Sequence, residues 1–291
     1  MKLLHLFFLT MMASSLWAGP IKDSLAHEDE KQATIDSAIR QTTNVSYGKH
    51  PREKYDVYQP ALTQKNAPII FMVHGGAWMI GDKAHQSVVE NKVNYWVAQR
   101  GYILVSINYP MLPGTPVSEQ LTSVAKALGV VQEKASSLGG DKQKVILMGH
   151  SAGAHLVALL SASNALYSRY TITTPLATIL LDSAVYNTPA LMSAPHMHLY
   201  DRAFGTDPLY WQKLSPYHQL STKRTPILAV CSTQRENACE QSRQFLDKAS
   251  SLGTKTELVQ EPMSHKDINL LLGKELTYTK AVDDFLRSVK E

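Results

Sequence analysis

Cysteine is nearly absent from this chain, with two in 291 residues. That scarcity excludes a scaffold built on disulfides and a four-cysteine zinc site, and no histidine lies close enough to the pair to complete a ligand set, so no metal is expected. Clustered charge of one sign is also missing. The 29 Lys and Arg and 25 Asp and Glu leave a formal net charge of +4 and are dispersed along the chain, which gives no basic stripe for a phosphate backbone and argues against a nucleic-acid partner. There is no internal repeat and no low-complexity tract, which excludes a solenoid and leaves a single domain as the expectation. Beyond the first residues, no apolar run approaches the roughly 20 residues that a spanning helix needs, so stable membrane insertion is not expected. What the chain does have is apolar material, 44% hydrophobic against 19% charged, enough for the core of one large globular domain.

The opening MKLLHLFFLTMMASSLWAGP places Lys2 before an apolar run from Leu3 to about Trp17, with the small Ala18 after it. This is the pattern of a secretory signal peptide over residues 1–18, with a soluble mature chain starting near Gly19 and a secreted or periplasmic location. In an oxidising compartment Cys231 and Cys239 are expected to close a short disulfide loop. The polar stretch from Gly19 to about Thr43 reads as a short surface helix.

From Lys54 onward, short apolar runs alternate with longer helical patterns. YDVYQP, PIIFMVHGG, GYILVSINYP, KVILMGHSAG, LATILLDSA, PILAVCS and TELVQ read as strands. Helices are predicted near His85–Arg100, Val117–Leu138, Ala152–Ser163, Cys239–Leu252 and Thr277–Val289. Near-continuous apolar strands separated by helices imply an α/β fold, a mostly parallel central sheet covered on both faces, with ligands at the C-terminal strand ends.

Two segments at predicted strand ends carry chemistry. The strand Lys144–Met148 leads into Gly149-His150-Ser151-Ala152-Gly153 and directly into a helix, the G-x-S-x-G pattern in the strand-turn-helix context that holds a serine hydroxyl clear of the sheet. The amide of Ala152 then sits at a helix N-terminus, where it is suited to a developing oxyanion. After the strand Ile69–Val73 comes His74-Gly75-Gly76-Ala77-Trp78, then Gly81-Asp82-Lys83. Glycines here let the backbone approach a substrate carbonyl, with Gly76 and Ala77 as the expected donors, Gly75 needed for the turn, and His74 bracing the loop.

HGGAW with GDK, the later INYP, the GGD before the elbow strand and GHSAGAHL together resemble the esterase/lipase branch of the α/β-hydrolase superfamily, near its hormone-sensitive-lipase-like, feruloyl-esterase-like and arylformamidase-like members. The resemblance runs from about Tyr55 to the C-terminus. It implies the α/β-hydrolase fold and cofactor-free acyl transfer to water through a covalent acyl-enzyme, with Ser151 as nucleophile. The chain order of such triads places the base late, and His265, the one histidine after His218, stands where the base loop falls.

The acid departs from the pattern. Relatives carry an Asp shortly after the strand here represented by Pro226–Cys231, and this chain has Gln234 or Arg235 at that place. Two substitutes remain open: Asp182, at the end of the preceding strand as in the pancreatic-type lipases, and Glu236, in the usual loop. The residues at about 183–224 are rich in aromatic and sulfur side chains and are expected to overhang the site as a cap, suiting a small-molecule ester with an apolar or aromatic group. An arylformamidase-like amide hydrolase and a non-catalytic binding protein of the same fold are the competing readings.

Overall fold

The computed structural model describes residues 38–62, 65–183 and 185–289. The chain separates into two units, Met1–Lys31 and Gln32–Glu291. The first unit and the expected signal peptide at residues 1–18 lie outside the described residues. The sheet and its helices belong to the second.

Eight strands form one sheet in the order β1-β2-β4-β3-β5-β6-β7-β8. They are β1 (Ile39–Ser46), β2 (Lys54–Pro60), β3 (Ala67–Val73), β4 (Ile103–Ile107), β5 (Gly140–His150), β6 (Ala177–Leu181), β7 (Ile227–Ser232) and β8 (Thr256–Glu261). β1 and β2 pair antiparallel at one edge, and every pairing from β4 to β8 is parallel. The α/β-hydrolase fold expected from the motifs is the fold observed.

Alternation along β3 explains why the inner strands read as continuous apolar runs. Ile69, Phe71 and Val73 face one core with Val124 and Leu128 of α2 (Val117–Glu133) and Leu156 and Leu160 of α3 (Ala152–Ala162). Ile70 and Met72 face the other, with Val89 of α1 (Gln86–Lys92), Trp96, and Val282 and Phe285 near the C-terminus. A strand covered on both faces must be apolar at successive positions. The edge strand β1 has one residue of its span fully buried, Ile39, so its apolar signal is absent.

Several boundaries differ from the sequence expectation. Ile39–Ser46 is a strand, so the helix expected over Gly19–Thr43 is wrong at its C-terminal end, and the remainder of it lies outside the described residues. The helix at His85–Arg100 is α-helical only to Lys92 and continues as π-helical turns over Val93–Gln99. α2 stops at Glu133, and a separate 3-10 turn, Ser136–Leu138, ends on Gly139 at φ 77°, a left-handed conformation that glycine adopts without strain.

Past α3 lies α4 (Asn164–Arg169), and the segment between β6 and β7 folds as α5 (Thr188–Met192), α6 (His198–Phe204), α7 (Pro208–Lys213) and α8 (Pro216–Gln219). The starts of α5, α7 and α8 are set by Asn187, Asp207 and Ser215, whose side chains accept from first-turn amides. The remaining helices are α9 (Ala238–Ser251), α10 (His265–Leu270) and α11 (Leu276–Ser288). Cys231 and Cys239 are joined by a disulfide, tying the end of β7 to the first turn of α9. None of the described helices is long and apolar enough to cross a membrane.

Candidate active site

The parallel register carries β5, β6, β7 and β8 to a common C-terminal edge, with His150 opposite Leu181 and Ser232 opposite Glu261. Each of the four following segments supplies one part of the site. Ser151, between β5 and α3, has φ 54° and ψ −119° and is anchored by its N–H donating to Leu181 O at 2.9 Å. A Cβ on Gly149 would collide with Gly153 O, and one on Gly153 would collide with Val73 O. Both positions therefore require glycine if the strained serine is to sit between strand and helix.

Ser151 Oγ donates to His265 Nε2 at 2.9 Å, and His265 Nδ1–H donates to Asp182 Oδ2 at 2.6 Å. The structure thus brings together the serine, the late histidine and the acid at the end of β6. Glu236 lies exposed on the loop after β7, and the Nδ1 it would have to reach is occupied by Asp182. The site also contains a residue that the motifs did not mark as functional. Arg235 Nη1 donates to Asp182 Oδ2 at 2.7 Å and to the Asp182 carbonyl at 2.8 Å, and it stands 3.0 Å from His265 Nδ1.

Asp182 is fully buried, at φ 50°, and its second carboxylate oxygen accepts from Ser232 N–H at 2.8 Å. Burial pushes its carboxyl upward, but the His265 hydrogen bond, the Arg235 charge and the Ser232 amide together outweigh burial and hold it at about 2. It is ionised across the neutral range.

His265 is held from its other side as well. His150 Nε2–H donates to the His265 carbonyl at 3.0 Å, and the two rings lie 4.5 Å apart. Burial first, then the neighbouring His265, keeps the His150 imidazole well below its usual range. Lys92 Nζ, in the last turn of α1, donates to Asn269 O at 2.6 Å and so fastens α10, the helix that His265 begins. The position before the serine is free in the G-x-S-x-G pattern, so nothing in the sequence distinguished His150 as a support for the histidine.

The glycine loop after β3 is built by the other motifs. Gly76 has φ 111° and lies where a Cβ would collide with Ile80 O, and Ala77 and Trp78 follow at φ 52° and 61°. Gly75 passes so close to the elbow that a Cβ would lie 3.0 Å from that of Ser151. Tyr109 OH donates to His74 O at 2.9 Å while its ring stacks on the imidazole. Asn108 Nδ2 donates to Asp82 and its Oδ1 accepts from Lys83 N–H. HGGAW, GDK and INYP are therefore one hydrogen-bonded assembly, and His74 belongs to its frame.

Trp78 connects this loop to the segment between β6 and β7. Its indole N–H donates to His155 Nδ1 at 3.3 Å, and His155 Nε2–H donates to Leu214 O at 2.8 Å. Phe204 and Tyr200 of α6 pack edge-on against the same indole. His196 and His198 instead both face Asp201.

Burial holds His74 and His155 at about 4, well under the usual 6.5. Since the folded value is the lower one, these rings stabilise the fold fully above pH 6.5 and progressively less as pH falls towards 4. The thermal midpoint is expected to be flat above neutrality and to drop over that window. A midpoint constant from about pH 6.5 to about 4 would mean that the two rings are charged in the native state.

A profile described as BD-FAE matches residues 55–248, from β2 into the last turns of α9. The chain belongs to the BD-FAE family. The matched span holds Ser151, Asp182 and Arg235 and ends before His265, so the serine–histidine contact joins the family's matched region to the segment beyond it. Among similar proteins, isoprenylcysteine alpha-carbonyl methylesterase of Arabidopsis thaliana is 30% identical over 74% of this chain and 54% of its own length. Kynurenine formamidase of Salmo salar is 28% identical over 52% of this chain and 48% of its own. The chain spans about half the length of these curated relatives. Esterase 2 of Thermogutta terrifontis, solved phosphonylated by sarin, superposes with a TM-score of 0.71 at 22% identity, over 88% of this chain and 96% of that one, a likeness of fold. This BD-FAE member thus has its serine, acid and histidine after β5, β6 and β8 of a fold shared with esterases.

Proposed function

We propose that this BD-FAE member is an exported serine hydrolase that cleaves carboxylic esters through an acyl-enzyme. The observation that carries the reading is the unbroken run Ser151 Oγ to His265 Nε2, His265 Nδ1 to Asp182 Oδ2. In this reading Ser151 Oγ attacks the ester carbonyl while its proton passes to His265 Nε2. The imidazolium, steadied by Asp182, then gives that proton to the leaving alcohol as the C–O bond breaks. Water attacks the acyl-serine with His265 again as base, releasing the carboxylic acid and restoring the serine.

The amides of Gly76, Ala77 and Ala152 are the proposed oxyanion donors. Gly76 and Ala77 follow β3 in backbone conformations that keep the loop close to the elbow, and Ala152 opens α3. One such donor contributes roughly 3–4 kcal/mol to the transition state. The aromatic-rich segment at about 183–224, in which Tyr210, Trp211 and Tyr217 are partly buried, supports a small-molecule substrate with an apolar or aromatic group. No cofactor is required by this chemistry. The Lys2-led apolar opening supports export, to the periplasm or beyond it.

An amide-cleaving reading is favoured by one observation, the kynurenine formamidase relative. The two differ in the leaving group that His265 must protonate. Turnover of an aryl acetate and of a formanilide by the mature chain separates them: the ester is expected to react faster, and faster formanilide cleavage would replace the esterase reading. Failure of Ser151 to take a fluorophosphonate label would sink both.

A further inference from the structure

Asp182 reaches His265 from β6, across β7, although the loop after β7 lies nearer to β8 and to the base. That nearer loop carries Arg235. Its Nη1 bears two protons, directed at the Asp182 carbonyl and at Oδ2. One nitrogen therefore grips both the backbone and the carboxylate of a buried residue in a left-handed conformation that only outside restraint maintains.

We propose that Arg235 is a positioning residue of this triad, the group that allows an acid from β6 to serve a histidine after β8. The inference rests on the serine-hydrolase reading above. The same nitrogen lies 3.0 Å from His265 Nδ1, so the guanidinium stands against both partners of the Asp182–His265 contact. By holding Oδ2 in place, the guanidinium keeps it in line to accept from His265 Nδ1–H while Nε2 accepts from Ser151. The guanidinium cannot lose its charge, so the grip holds wherever Asp182 is ionised.

The loop bearing Arg235 is fixed independently of that side chain. The Cys231–Cys239 disulfide brackets it. Thr233 N–H donates to Glu261 O, Ser232 Oγ to Met263 O and Gln234 Nε2 to Pro262 O, all on the segment leading to His265. Removing the guanidinium should therefore loosen Asp182 while leaving the fold in place.

The test uses the mature chain with Arg235→Ala, Arg235→Met and Arg235→Lys, measuring kcat and KM on p-nitrophenyl butyrate beside the thermal midpoint. The expected result for Arg235→Ala is a loss of roughly 10²-fold in kcat with KM within about threefold, since the acid loses its charge partner and the hold on its carbonyl. Millimolar guanidinium chloride should restore about a tenth of wild-type kcat to Arg235→Ala, where an equal concentration of sodium chloride does not. Arg235→Lys should fall between, because an ammonium has protons enough for both oxygens but sits on a shorter, flexible stem without the planar group that fixes their direction. Arg235→Met, which keeps the aliphatic stem, carries the comparison if the alanine variant does not fold. A kcat within about threefold of wild type in a folded Ala or Met variant would overturn the inference. So would a loss in folded Arg235→Ala that guanidinium leaves unchanged, because a purely structural defect gives no rescue. A wild type that takes no fluorophosphonate label would instead overturn the hydrolase reading, and this inference with it. A wild type that labels normally confines any failure to Arg235.

Discussion

Ser151→Ala is expected to lower kcat on an aryl ester by roughly six orders of magnitude, to the level that binding and oxyanion donors alone sustain. The substitution removes one oxygen, and with it the hydrogen bond to His265 Nε2 at 2.9 Å. That bond contributes about 1 kcal/mol to stability. Alanine adopts the same backbone conformation at a cost similar to that of serine, and the Ser151 N–H to Leu181 O bond is retained. The thermal midpoint should therefore stay within a few degrees of wild type, separating lost chemistry from lost structure. Fluorophosphonate labelling followed by mass spectrometry checks the assignment directly. Persistent labelling of the alanine variant would place the nucleophile elsewhere.

Asp182→Asn should cost roughly four orders of magnitude in kcat. Oδ1 accepts from Ser232 N–H, and Oδ2 accepts from both Arg235 and His265. An amide placed there must turn its NH₂ towards one of these donor sets. Turned to His265, it favours the wrong imidazole tautomer; turned to Ser232, it sets donor against donor in a buried position. The variant also leaves the Arg235 charge without its partner, so a fall in thermal stability should accompany the loss. The wild-type carboxyl is held at about 2 against a usual 3.8. Its contribution to stability is therefore complete above about pH 4 and declines as pH falls from there towards 2, a decline that the Asn variant should lack. Glu236→Gln, on the exposed loop, should remain within a few-fold of wild type. The reverse ranking of the two variants would transfer the acid role to Glu236.

The legibility of the sequence was uneven in ways that follow from burial. β3 and β5, covered on both faces, could be read from their apolar runs, and the elbow followed because Gly149 and Gly153 are each barred from carrying a side chain by nearby backbone. β1 at the sheet edge is exposed along most of its length, so its sequence lacks the apolar pattern that separates a strand from a helix. The short helices between β6 and β7 escaped because caps such as Asn187, Asp207 and Ser215 start turns too brief for a helical period to show. The disulfide was foreseeable from spacing and from the expected compartment. Its consequence, a fixed loop presenting Arg235 to the acid, was not.

By itself the sequence determined the α/β architecture, the elbow at Ser151 and the glycine loop, because each rests on local rules: apolar periodicity, side chains that glycine must lack, and residues adjacent in the chain. Only the tertiary structure set Asp182, and not Glu236, against His265, and only it placed Arg235, His150 and Lys92 around that histidine. Those choices depend on which strand ends become neighbours and how far a side chain must reach across them. They arise between residues that are far apart in the chain and meet only once the sheet has formed.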